Sequence, residues 1–189
     1  SGATVGTADI TFTASSGGCM DIVTETVHPL PSAITGNPII CAGSTTTLSD
    51  ATPGGTWSST PFTIATATGT GMITGVATGS STPNTATIKY QLTATGCFVT
   101  QPVTVNPQPV ITGPSALCQS SSITLLEATG TIGVWASSLA SVASITPGGL
   151  VNGSLAGTTN ISYTASAGGC IAYRTITVNP VPAPITGTF

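Results

Sequence analysis

Charge is what this chain has least of. Of 189 residues, two are Lys or Arg and five are Asp or Glu. Two cations cannot neutralise a phosphate backbone, which argues against nucleic acid as a partner. No run of 18 apolar residues occurs, and no basic n-region with an apolar core opens the chain, so neither a membrane span nor a signal peptide is expected in this segment. The single His, His28, lies outside both complete repeats described below, so no Ser or Cys nucleophile within them has an imidazole partner. No Cys-x-x-Cys pair occurs and no His neighbours a Cys, which argues against a metal site. No stretch sustains a 3.6-residue hydrophobic period, which argues against helices. The chain reads as a non-enzyme with no cofactor.

What the chain does have is repetition. Ala8-Asp9-Ile10-Thr11-Phe12, Gly18-Cys19, Thr26-Val27-His28-Pro29 and Ile34-Thr35-Gly36 return as Ala86-Thr87-Ile88-Lys89-Tyr90, Gly96-Cys97, Thr104-Val105-Asn106-Pro107 and Ile111-Thr112-Gly113. They return again as Asn160-Ile161-Ser162-Tyr163, Gly169-Cys170, Thr177-Val178-Asn179-Pro180 and Ile185-Thr186-Gly187. In each copy the Ile lies nine residues before the Cys and the Cys eight before the Val. Cys19 to Cys97 is 78 residues and Cys97 to Cys170 is 73, a period suited to a small β-sandwich. Ser and Thr make up roughly a third of the chain, yet 40% is hydrophobic and set in alternating runs, enough for small cores.

The repeats predict four segments. Residues 1–30 read as the closing hairpin of an incomplete repeat, with Ile10, Phe12 and Ala14 facing inward. Residues 31–107 and 108–181 read as complete repeats of about seven short strands each, and residues 182–189 as the first strand of another. His28-Pro29-Leu30-Pro31 is expected to be a linker, because Pro disfavours strand continuation. Short strands punctuated by Gly and Pro predict an all-β chain of tandem sandwiches. Five cysteines in a repeating frame point to disulfides in an oxidising, extracellular compartment.

The motifs Trp57-Ser58-Ser59, Gly71-Met72-Ile73-Thr74-Gly75 and Thr87-Ile88-Lys89-Tyr90, with their counterparts at Trp135, Gly149 and Ile161, resemble bacterial immunoglobulin-like repeats. Cys41-Ala42-Gly43-Ser44, the late Gly-Cys and the Val-Asn-Pro also resemble Cys-containing Ig-like and PKD-like modules of very large surface proteins of Bacteroidota-type bacteria, including gliding adhesins. The resemblance spans essentially the whole chain. It implies an Ig-like fold, a cell-surface or secreted location, and a spacer role.

The disulfide candidates are Cys19, Cys41, Cys97, Cys118 and Cys170. Two connectivities are open. One pairs Cys41 with Cys97 and Cys118 with Cys170 inside each repeat, leaving Cys19 for a partner elsewhere. In a sandwich, however, the first-strand and last-strand cysteines fall at opposite ends, about 20 Å apart for a six-residue strand. A disulfide needs Cα atoms within about 7 Å. The other connectivity therefore joins Cys41 to Cys170 across the joint between repeats.

Trp57 and Trp135 occupy matching positions and read as core anchors rather than sugar-stacking platforms, as do Tyr90 and Tyr163, which alternate with Ile88 and Ile161. His28 reads as a linker residue in the place of Asn106 and Asn179. The carboxylates Asp9, Asp21, Glu25, Asp50 and Glu127 look scattered, with no two at equivalent positions, so no glycosidase pair or calcium cage is expected. Lys89 is out of phase with Ile88 and Tyr90 and is expected in solvent. Outward Thr ladders support sheet structure and can carry O-linked glycans; Asn152-Gly153-Ser154 and Asn160-Ile161-Ser162 match the N-glycan acceptor pattern. The expected function is a structural stalk segment of an extracellular filament or giant adhesin, whose partners are neighbouring Ig-like repeats and, on its surface, glycans. The alternatives are a self-assembling subunit completed by strand addition and a carbohydrate-binding adhesin module.

Overall fold

A computed structural model describes residues 4–76 and 82–184. Among these the chain is all strand and turn, with no helix. Ile185, Thr186 and Gly187, read as part of a further first strand, lie outside the described residues.

Gly6–Thr13 (β1) and Met20–Val27 (β2) form an antiparallel hairpin. Seven strands follow: Ile39–Cys41 (β3), Thr45–Thr47 (β4), Gly55–Thr60 (β5), Ala65–Ala67 (β6), Met72–Gly75 (β7), Asn84–Leu92 (β8) and Phe98–Asn106 (β9). They make a four-stranded sheet in the order β3-β9-β8-β5 and a three-stranded sheet in the order β4-β7-β6. The pattern then repeats. Ile111–Thr112 (β10) pairs with Leu126–Glu127 (β13), and Ala116–Cys118 (β11), Ser122–Thr124 (β12), Gly133–Ser137 (β14), Ala143–Ile145 (β15), Leu150–Gly153 (β16), Gly157–Ala165 (β17) and Ile171–Asn179 (β18) complete it. Their sheets run β11-β18-β17-β14 and β12-β16-β15.

Period-two alternation explains each core. Ala86 and Ile88 on β8 and Val103 and Val105 on β9 point inward and meet Ala65 and Ile73 from the facing sheet and Leu48 just beyond β4, while Tyr90 on the same face of β8 is also buried. Ile161, Tyr163, Ile176 and Val178 do the same against Leu125, Ala143 and Val151. The first strand of each sandwich joins the last in parallel, Cys41 opposite Asn106 and Cys118 opposite Asn179. The final hairpin therefore carries the sheet, and both early cysteines sit at its far end.

The β1–β2 hairpin differs from its two counterparts. It has their register, but Ile10 and Phe12 are exposed where Ile88, Tyr90, Ile161 and Tyr163 are buried, because among the described residues no second sheet covers it. Counted from the cysteine, Glu25 holds the place of the fully buried Val103 and Ile176.

Leu125 is 1% exposed and its neighbour Leu126 is 61% exposed, which offers a direct test of this alternation. Leu125→Ala, or Leu48→Ala in the first sandwich, is expected to cost about 2–5 kcal/mol in denaturant unfolding followed by tryptophan fluorescence. Leu126→Ala is expected to stay within about 0.5 kcal/mol of the parent.

Candidate functional site: the joint between the sandwiches

A disulfide joins Cys41 to Cys170 with Cα atoms 5.8 Å apart, linking positions 129 residues apart in sequence. Each cysteine is placed by backbone. Cys41 ends β3, where the Ala42 amide donates to the Asn106 carbonyl at 2.8 Å and the chain turns back, the Ser44 amide donating to the Cys41 carbonyl at 3.0 Å. Cys170 follows the β17–β18 turn and accepts from the Ala165 amide at 2.8 Å. Strand length decides the pairing. Cys97 precedes β9 and Cys41 lies beside its last residue, so the nine residues of β9 hold the two about 30 Å apart. β18 separates Cys170 from Cys118 in the same way. The within-repeat pairings, Cys41 with Cys97 and Cys118 with Cys170, are thereby excluded. Cys19, Cys97 and Cys118 are free in this structure.

Around the bond the linker is buried without stranding donors. Pro107 and Pro109 are buried and carry no N–H, so two linker positions need no hydrogen-bond acceptor. Between them the Gln108 side chain donates from Nε2 to the Ile171 carbonyl at 2.6 Å, tying the linker to β18. Asn106 is 3% exposed and lies against Gly168, where a Cβ would come within 2.1 Å of its Nδ2. Only glycine admits that approach, and its φ of +71° is one that glycine adopts freely. Beside the linker, Thr82, Pro107, Gly130, Thr131, Ile132 and Ala165–Ala167 line a mainly apolar cleft of about 360 Å³.

A carboxylate shapes the loop that borders this cleft. Glu127 Oε1 accepts from the Val110 and Thr129 amides at 3.2 and 2.9 Å and from the Thr129 hydroxyl, and Oε2 accepts from the Thr131 amide at 2.9 Å. Partial burial raises its pKa, but the Thr129 hydroxyl and the three amides outweigh that and hold the carboxyl below its usual value. Asp50 does similar work in the first sandwich, accepting from the Thr52 amide at 2.8 Å through Oδ1 while its buried Oδ2 has no partner. The two carboxylates are equivalent: Ser49 bridges to Thr35 as Leu126 pairs with Thr112, and the acid follows in each case. The expectation that no two carboxylates match is corrected. Asp50 and Glu127 each lie nine residues after the preceding cysteine, Cys41 or Cys118, so the correspondence is present in the sequence spacing itself. Each acid accepts from backbone amides that follow it in its own loop, and Glu127 also takes the Val110 amide of the linker.

The tyrosines next to these loops are 5% exposed, and each lies 4.8 Å from a half-buried Trp, Tyr90 from Trp57 and Tyr163 from Trp135. Their hydroxyls donate to the Thr52 and Thr131 carbonyls at 2.6 and 2.7 Å. Burial, followed by the nearby Glu127 charge, raises the Tyr163 pKa, against a smaller lowering from its bond with Thr131. The Trp faces are thus spent on tyrosine packing. Lys89, expected in solvent, is half-buried: Nζ donates to Gln91 Oε1 at 2.8 Å and lies 5.3 Å from the centre of the Phe98 ring. His28 is exposed in its linker, and its carbonyl lies 4.0 Å from Cys97 Sγ. Asn160 is exposed and accepts from the Thr175 hydroxyl at 2.8 Å, while Asn152 is half-buried on β16. Sequence reasoning missed Arg174, whose guanidinium gathers the Ile111, Gly113 and Pro114 carbonyls just beyond the linker. A lone cation in a nearly uncharged repeat was the available signal.

No protein-family model matches the chain, and no curated protein matches it. Among solved structures it is similar to a C-terminal 282-residue fragment of intimin, determined with the intimin-binding domain of the translocated intimin receptor. Identity is 17% and the TM-score 0.53, over 80% of this chain and 64% of the fragment. It is also similar to invasin, a bacterial integrin-binding protein, at 16% identity and a TM-score of 0.53, over 93% of this chain and 46% of invasin. The chain thus spans less than two thirds of either. The likeness is one of fold, tandem Ig-like β-sandwiches.

Two outcomes test the joint. Gly168→Ala should shift the Cys41–Cys170 pair toward the reduced state in a glutathione redox titration. Gly169→Ala shares a positive φ of +67° but has open space around it, and should shift the pair less. For pH, a lowered Glu127 pKa means the native state binds fewer protons than the unfolded one, so the stabilisation is present above the unfolded carboxylate pKa and is lost as pH falls through the folded one. Acid titration of unfolding should show this loss in the parent, and Glu127→Gln should flatten it.

Proposed function

We propose that this chain is a structural segment of an extracellular bacterial stalk, in a filament or a giant surface adhesin. Residues 31–107 and 108–181 act as two successive spacer domains that hold a more distal part away from the cell. The observation that carries this reading is the Cys41–Cys170 bond. It spans the joint, and its 129-residue separation means that tension applied at the ends passes through the S–S bond and bypasses most of both sandwiches. A joint made of buried prolines, a glutamine tie and a covalent bridge resists bending better than a flexible linker. Stable disulfides belong to oxidising compartments, which supports an extracellular setting. The fold likeness to two adhesive proteins supports the same class of role.

A second reading, a subunit completed by strand addition, is favoured by the β1–β2 hairpin, which pairs with no other strand among the described residues and exposes Ile10 and Phe12. Glu25 at a core position weighs against burying that face as the other hairpins are buried. A sugar-binding role would need an exposed aromatic platform, and Trp57 and Trp135 lie half-buried against tyrosines.

Single-molecule stretching between terminal handles tests the stalk reading. The oxidised chain should extend only through residues outside the disulfide loop. Reduction should release 129 residues of hidden length, about 45 nm at roughly 3.5 Å per residue. Equal contour lengths with and without reductant would sink it.

A further inference from the structure

The two cysteines left free in the sandwiches repeat the two halves of the bonded joint. Cys118 is placed as Cys41 is. Each ends a three-residue strand that pairs in parallel with the last strand, opposite Asn179 and Asn106 respectively. The following amide, from Gln119 or Ala42, donates to that asparagine's carbonyl at 2.8 Å in both cases. The next amide, from Ser120 or Gly43, donates to Gly153 or Gly75 at 2.9 and 2.8 Å, and Ser120 takes a φ of 64° to follow the turn that Gly43 makes at 80°. Cys97 is placed as Cys170 is. Each directly precedes its last strand, and each carbonyl closes the hairpin, accepting from Leu92 at 2.9 Å and from Ala165 at 2.8 Å. Its Sγ lies 4.0 Å from the His28 carbonyl, and His28 holds the place in its linker that Asn106 holds beside the bonded pair.

We propose that Cys97 and Cys118 are half-sites for further cross-joint disulfides, and that the partner of each is another sandwich of this kind. Cys118 bonds to the hairpin cysteine of the sandwich that follows. Cys97 bonds to the first-strand cysteine of the sandwich to which β1–β2 belongs. That first strand would lie parallel to residues 26–28, as β3 lies along Thr104–Asn106 and β11 along Thr177–Asn179. The edge it needs is open, since β2 pairs only with β1 among the described residues. The topology also argues against a second copy's Cys118 at this place, because the edge by which its strand β11 would have to pair with β2 is the one already paired to β18. Each bond forms when two thiols give up two protons and two electrons to a disulfide oxidant, which leaves as two thiols. The proposal rests on the stalk reading and extends it: successive bonds overlap, so every joint is crossed by a bridge as well as by the chain.

Two measurements on the full chain test this. In the first, residues 111–184 are appended a second time after Pro184, the chain is oxidised with glutathione disulfide, and non-reduced peptides are mapped. The expected result is loss of the free thiol at the original Cys118 and a peptide joining it to Cys170 of the appended copy. A Cys118 that remains free to alkylate while Cys41–Cys170 forms would overturn the proposal and leave the stalk reading standing; absence of Cys41–Cys170 from the parent chain would overturn both. In the second, which does not depend on the longer chain folding, a synthetic peptide of residues 34–44 is offered to the parent in a glutathione buffer. Coupling should favour the half-buried Cys97 over the exposed Cys19 and Cys118. Coupling that ranks the thiols by exposure, with Cys97 last, would count against the proposal.

Discussion

The length of one strand governs how this molecule is held together. In each sandwich the last strand has nine residues, with a cysteine just before its first residue and another lying beside its last. An extended strand of that length puts the two sulfurs far beyond the reach of a disulfide, so a bond can form only where the end of one sandwich meets the start of the next. Cys41 and Cys170 satisfy that condition. Small cores with few aromatic residues supply each sandwich with modest stability, and the covalent bridge is placed at the joint between the two.

The joint is also notable for how little polar demand it leaves unmet. Linker prolines remove two donors, Gln108 reaches β18, and Gly168 lets the hairpin close against Asn106. Glu127, on the loop beside the joint, and Asp50, at the equivalent place in the first sandwich, perform one task with different reach. The aspartate caps through one oxygen, whereas the longer glutamate engages both and collects three amides and a hydroxyl. In a chain with so few charges, a carboxylate that gathers backbone donors orders a loop rather than preparing chemistry. Arg174 plays the complementary part by gathering carbonyls on the far side of the linker.

Much of the fold was legible because it repeats. The constant spacing of Ile, Cys and Val fixes the register of three hairpins, and alternation assigns Ile88, Tyr90, Ile161 and Tyr163 to the interior. Glycine and proline mark the turns between short strands. The same alternation misled at Ile10 and Phe12, where period two identifies a face but cannot say whether a second sheet covers it. The kinship of Asp50 and Glu127 is legible in their common spacing, nine residues after Cys41 and Cys118, whereas the half-burial of Lys89 beside the Phe98 ring is something no periodicity reveals.

By itself the sequence determined the all-β class of the molecule and the spacing of its recurring motifs and cysteines, because these follow from local pattern. Which cysteine meets which was left open between two connectivities. Only the tertiary structure decided it, since the answer depends on the realised length of the closing strands and on how one sandwich stands against the next. Those are distances between segments far apart in the chain, and no local pattern of residues encodes them directly.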